Sequence, residues 1–303
     1  MVEANTMMKS KAGAQPGDLV LIDELPDIDV VIAHSPLRGM GGRTRWRPVL
    51  MQCYHEAAKE ELQPYVVKAR RQEELEASTA ACVSDLVCGF LLQSARIQCV
   101  EPALVRITGE LASDLSVQYG YTFLGGLHYA SRYLQPASSS LPANSSIENP
   151  ADLAGIWYFD NWVRNIDRDT QGNLIFAQRG GWRAVAVDHS DCFGGSGRLS
   201  RESPPAYALE WTSAVPTVNR FGELVEPILE QGLREIGRRR VRPARAAVSA
   251  ALETVPESWW APLHNGPGEI ERFLEERWRP VYGWLKDWDD LKQMLDDGVS
   301  IDV

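Results

Sequence analysis

Apolar residues fall into short strand-like runs in the first half of the chain and into helical spacing in the second. Strands are predicted at "DVVIAHS" (29–35), "PVLMQCYHE" (48–56), "QPYVVKAR" (63–70) and "CVEPALVRI" (99–107), each β-branched or aromatic and bounded by turn residues. "EELEASTAACVSDLVCGFLLQSA" (73–95) has apolar positions at helical spacing and few breakers, which predicts one long helix. "GGLHYASRYLQ" (125–135) reads as a strand or an extended connector. "QPASSSLPANSSIENP" (135–150) is a loop rich in Pro, Ser and Asn, which puts a boundary near residue 134. "DLAGIWYFDNWVRN" (152–165) is helical, "LIFAQ" (174–178) and "WRAVAVDHS" (182–190) form a hairpin through "RGG", and the pattern beyond residue 203 is helical.

The 303 residues suit one large domain or two lobes sharing a cleft. A net charge of -10 argues against a general nucleic-acid binder. No run of about 18 apolar residues predicts a membrane span. The polar start, 1–28, reads as a flexible tail without a secretory signal. Five cysteines without CxxC spacing read as reduced thiols of a cytoplasmic protein. The run "RRRVRPAR" (238–245) reads as a solvated helix end.

The stretch "YFDNWVRNIDRDTQGNLIF" (158–176) sets a charged middle between two apolar ends. A helix, a polar loop and a hairpin in that order bring Asp167, Asn173 and Asp188 to one edge of a small sheet. Two carboxylates and an amide oxygen are hard ligands suited to magnesium. Phosphoryl transfer needs such a set, with a lysine for phosphate. Lys68, ending an apolar strand, is the candidate lysine, and the glycines Gly39, Gly41 and Gly42 would let backbone amides approach phosphates, although such a turn also serves as a plain hairpin tip. A metal-dependent phosphohydrolase using Asp167, Asp188 and His189 stays open as a rival, but it gives Lys68 and the glycine turn no task.

"FDNWVRNIDRDTQGNLIF" followed by "AVAVDHSDCFGG" resembles the catalytic core of the bacterial HipA-like kinases, relatives of protein and phosphatidylinositol kinases. "YVVKAR" resembles the nucleotide lysine strand of that family, and "SDLVCGFLLQSARIQCVEPALVRI" its helix-to-strand passage. The likeness runs over residues 29–200 and fits the smaller stand-alone domain. It implies an α+β, bilobal, protein-kinase-like fold. An antiparallel-sheet N-lobe with one long helix would span 29–134, and a mainly helical C-lobe with a catalytic hairpin (165–193) would span 135–303.

The resemblance also implies site roles. Lys68 would bind phosphates and Asp85 would orient it. Asp167 would be the catalytic base with Arg168 beside it. Asn173 and Asp188 would hold Mg2+, and Arg132, Tyr133 and Leu134 would line the adenine of ATP. The implied reaction moves the γ-phosphoryl group to a hydroxyl, with a protein as the expected acceptor. Three positions depart from the family pattern. Asp85 is one methylene shorter than the family glutamate, which predicts a longer or water-bridged pair with Lys68. Asn173 is one residue out of register, and Asp169 replaces a histidine or threonine. These departures make a nucleotide-binding pseudokinase the alternative.

Overall fold

The computed structural model describes residues 25–40, 47–140, 146–165, 167–168, 172–193 and 245–286, with side chains at all of these but 179, 245 and 278–286. Gly41, Gly42, Asp169, the helix expected at 222–236, most of the basic run and the acidic C-terminus lie outside the described residues.

Five strands close into a barrel in the order β1-β2-β3-β5-β4. They are β1 (Asp29–Gly39), β2 (Val49–His55), β3 (Ala58–Lys68), β4 (Pro102–Ile107) and β5 (Gly126–Arg132). The sequence predicted an antiparallel sheet, and four of the five pairings are antiparallel. The fifth, β1 with β4 from Asp29↔Ala103 to Ile32↔Arg106, is parallel and closes the barrel. A parallel pair needs a long crossover, supplied here by β2, β3 and the first helix. Alternate residues fill the interior: Val31 and Ala33, Val49, Met51 and Cys53, Tyr65 and Val67, Ala103 and Val105. β1 runs four residues past its predicted end, and Pro36 is accommodated at a register shift, where a missing N–H costs least.

Helix α1 (Leu75–Ser94) follows a 3-10 turn at Gln72–Glu74 and is buried on nearly all sides from Ser78 to Leu92. The segment Gln72–Ser94 is long and apolar enough to cross a membrane, yet its apolar window is 83% buried within the fold. Gly89 allows close packing, since a Cβ there would lie 3.0 Å from Cβ of Pro102 on β4. A second helix, α2 (Gly109–Tyr119), was not read from the sequence. Thr108 caps it by accepting from the Leu111 N–H at 3.2 Å, and Gly120 ends it in the left-handed region at φ 73°.

Past the loop, the two-residue strand β6 (Ala137–Ser138) joins β7 (Leu174–Arg179) and β8 (Gly181–Ala186) in an antiparallel sheet. Helix α3 (Pro150–Val163) leads into the polar loop. Helices α4 (Arg245–Glu253), α5 (Glu257–Trp260) and α6 (Pro267–Lys286) follow. α6 matches α1 in length and lies in the segment 135–303, which the sequence reading expected to be mainly helical.

One core joins both halves of the chain. Val83, Leu86, Val87 and Phe90 of α1 belong to the same buried cluster as Trp157, Phe159 and Trp162 of α3, Ala251 of α4 and Phe273 of α6. The backbone joins the halves as well, because Ala186 at the end of β8 donates to Gln98 at 3.1 Å and accepts from Val100 at 3.2 Å. The two bonds fix the end of β8, and the residues after it, against the segment between α1 and β4.

Candidate active site

Lys68 ends β3 with its side chain almost fully buried. A buried ammonium needs anions, and two are in contact. Nζ lies 2.8 Å from Asp85 Oδ2 on α1 and 2.6 Å from Asp188 Oδ1 after β8. The direct Asp85 contact corrects the expectation of a longer or bridged pair. The second Asp85 oxygen accepts the His189 backbone N–H at 2.7 Å, so one carboxylate holds both the lysine and the loop that carries Asp188. Asp188 adopts a left-handed φ of 54°, a conformation costly for a residue with a Cβ. The bonds around it sustain that conformation: its Oδ1 also accepts from Ser190 Oγ at 2.5 Å and from Ser190 N at 3.3 Å.

Burial disfavours all three charges, and the contacts decide how each responds. For Lys68, burial works against the ammonium, but Asp188 and Asp85 more than reverse this and raise its pKa. For Asp188, burial is outweighed by Lys68 and by the bonds from Ser190, and its pKa falls well below the carboxylate range. Asp85 is pushed up to about 6, by burial first and by the Asp188 charge, against the pull of Lys68. The ammonium therefore belongs first to Asp188, with Asp85 the weaker acid partner.

The loop after α3 is held by a second buried ion pair. Arg168 meets Asp160 through two parallel bonds, Nε to Oδ2 at 2.7 Å and Nη2 to Oδ1 at 3.0 Å. The remaining nitrogen, Nη1, donates to the carbonyls of Asn173 and of Val187, the latter at 2.6 Å. One guanidinium thus ties together residues adjacent in sequence to Asp167 and Asp188, and Asn173 itself. It holds the loop through backbone, the role that pairing with a carboxylate implies. The Asp167 N–H donates to Asn165 Oδ1 at 3.1 Å, and Asn173 Nδ2 donates to Asp167 Oδ2 at 2.9 Å. The one-residue shift of Asn173 against the family spacing does not remove it from the cluster.

Other expected residues fall into place unevenly. Gly39 ends β1 beside Tyr119, whose ring would stand 3.2 Å from a Cβ there. The N–H groups of Arg132 and Tyr133 are spent on Glu101 and Pro64 at 3.0 Å each. Leu134 packs with Val100, Val185 and Val187. The His189 ring sits edge-on to Phe159 at 6.2 Å with Nε2 unpartnered. Burial first, and Arg168 next, keep that ring neutral. Ser190, Asn165 and Asp160 hold the site together; "FDNWVRN" shows the last two as polar positions in an apolar helix, which was the available signal.

The donor set accommodates a hard cation. Asp188 Oδ2 takes part in none of the bonds above, and the amide nitrogen of Asn173 is used on Asp167, leaving its Oδ1 as an oxygen donor. Magnesium needs only one or two such protein oxygens beside substrate phosphates and water. Among the described residues no group of three His, Cys, Asp or Glu side chains could hold a metal by itself.

The chain is similar in fold to the crystal structure of a Helicobacter pylori proinflammatory kinase, CtkA, at 13% identity and a TM-score of 0.50, over 91% of this chain and 100% of that one. Among curated proteins none matches. The profile described as HipA-like kinase matches residues 52–202, the segment from β2 through Lys68, Asp85, Asp167 and Asp188. Over that segment, about half of the chain, the sequence matches the HipA-like kinase family.

Proposed function

We propose that this protein transfers the γ-phosphoryl group of ATP to a hydroxyl, with Mg2+ and with a protein serine or threonine as the acceptor. The observation that carries the reading is the triad of Lys68, Asp85 and Asp188 beside the Asp167–Asn173 pair, on a chain that matches a kinase family. Lys68 exchanges one carboxylate for phosphate oxygens and neutralises them. Asp167, held by Asn165 and Asn173, orients the acceptor hydroxyl and takes its proton as the new P–O bond forms and the bond to ADP breaks. Asn173 and Asp188 would hold Mg2+, which would supply charge neutralisation on the phosphates. Positioning and charge neutralisation account for most of the rate in such reactions.

The reading includes two lobes, 29–134 and 135–303, with nucleotide between them. Five free and buried thiols fit a reducing compartment such as the cytoplasm. A second reading, nucleotide binding without transfer, draws on the 2.6 Å contact of Lys68 with Asp188, because phosphate and metal must both compete with it. Incubation with γ-labelled ATP and Mg2+, beside an Asp167→Ala variant, separates the two. Label on protein or released as phosphate, and lost in the variant, supports transfer. ATP bound but unconverted by both proteins supports the second reading.

A further inference from the structure

The last four carbonyls of a helix have no partner within it. In α3 their partners come from three places, the loop after the helix, the segment at Phe193, and α6. Asp160 O accepts from the N–H of the capping Arg164 and from the Asn165 N–H at 2.8 Å, and Val163 O accepts from the Phe193 N–H at 2.7 Å. Between these, Asn161 O and Trp162 O accept from one side chain of α6, Arg277, through Nη2 at 2.6 Å and Nε at 3.1 Å. Arg277 is 5% exposed and its guanidinium lies 5.8 Å from the centre of the Phe273 ring. Trp162 returns the contact, its indole Nε1 donating to Leu274 O at 2.9 Å. The end of α3 is therefore where the loop to Asp167, the loop from Asp188 to Phe193, and α6 meet.

Placement here has a cost that calls for a reason. Burial, and then the neighbouring Arg164, pull the Arg277 pKa down to about 10, which still leaves it charged at neutral pH. A cation at a helix C-terminus opposes the negative end of the helix dipole. A guanidinium also offers two donors in fixed geometry, as two adjacent carbonyls require and an ammonium cannot match. Arg164, the next residue after α3, takes the left-handed φ of 50° that turns the chain toward Asn165 and Asp167, and Phe193 takes 58°. The orientation of the loop thus depends on where α3 stops.

We propose that Arg277 is a positioning residue for phosphoryl transfer: by fixing the two middle carbonyls at the end of α3, it sets the placement of the Asp167 loop and of the loop after Asp188. This rests on the kinase reading above. The hydrogen bonds from Arg277 to Asn161 and Trp162 act on the end of α3, which leads into the Asp167 loop, so its loss is expected to affect the chemical step more than nucleotide affinity.

The test uses the full chain as wild type, Arg277→Met and Arg277→Lys. Steady-state ATP turnover is measured together with hydrogen exchange of the Asn165 and Phe193 amides, against Val66 and Val67 of β3 as internal references. In Arg277→Met, kcat falls about tenfold or more, on the scale that loop misplacement costs, while KM for ATP stays within about twofold. Exchange quickens at Asn165 and Phe193 and not in β3, and Arg277→Lys recovers part of both. Unchanged kcat, or exchange that rises equally in β3, overturns the proposal. If Arg277→Met does not fold, the lysine variant alone carries the test: a lower kcat with faster exchange confined to Asn165 and Phe193 supports the claim, and wild-type behaviour refutes it. If the wild type turns over no ATP, the kinase reading fails, and the exchange pattern alone decides whether Arg277 positions the loops.

Discussion

Arg168 is fully buried, and the single Asp160 carboxylate that balances it serves no direct chemical purpose in the proposed reaction. Burial works against its cation, and Asp160 more than compensates, raising the pKa of the guanidinium. Removing one member of a buried pair leaves the other uncompensated, at a cost of about 3–5 kcal/mol. Arg168→Met is expected to lose stability on that scale in denaturant unfolding, while Asp160 and Arg168 replaced together by apolar residues lose less. Residues of this kind were legible in part. The sequence marked Asp160, Asn165, Asp167, Arg168 and Asn173 as polar groups between apolar ends and Asp188 at a strand end, and the resemblance supplied roles for Asp167, Asn173 and Asp188. It could not show that Asp85 reaches Lys68 at 2.8 Å despite its shorter side chain, because that distance depends on how closely α1 packs against β3.

At the level of elements, α1 sets the spacing of the site, and Gly89 sets the spacing of α1. Any side chain larger than hydrogen meets Pro102 of β4. Gly89→Val is expected to lose about 1–3 kcal/mol through overpacking, visible as a lower denaturation midpoint with an unchanged slope. Helix α2 makes a contrasting case. Its capping threonine is exposed, so Thr108→Ala should cost only about 1 kcal/mol. The sequence carried that signal, with Thr108 before the helix and Gly120 after it. The apolar pattern between them is weak, since only Ala112 and Leu115 are buried, and periodicity alone passed over it. The parallel closure of the barrel was not legible at all. A strand's sequence does not name its neighbour, and β1 meets β4 across more than sixty residues of chain.

For the whole molecule, two buried histidines set the response to acid. His128 is lowered to about 4 chiefly by burial, its Nδ1 accepting from the Arg70 N–H at 2.9 Å and its Nε2 donating to Leu124 O at 2.8 Å. An unfolded histidine titrates near 6.5. Between those values the unfolded chain binds the extra proton, so the stabilisation is full above about pH 6.5 and is lost as pH falls toward 4. The His189 ring acts in the same direction, and Asp85, raised to about 6, opposes them increasingly as pH falls toward and below that value. Unfolding free energy measured from pH 7 to 6 should already decline, by at most about 1.4 kcal/mol per unit for each histidine. A flat profile there would show that these rings are not held neutral.

The central claim is that one cluster binds a nucleotide together with a metal. The most direct check is calorimetric titration of a non-hydrolysable ATP analogue, with and without Mg2+, into the wild type, Lys68→Met and Asp188→Asn. The account predicts saturable binding that strengthens with Mg2+, a loss of at least about tenfold in affinity for Lys68→Met, and no Mg2+ effect in Asp188→Asn. Binding that ignores both substitutions and the metal, or no binding at all, would contradict it.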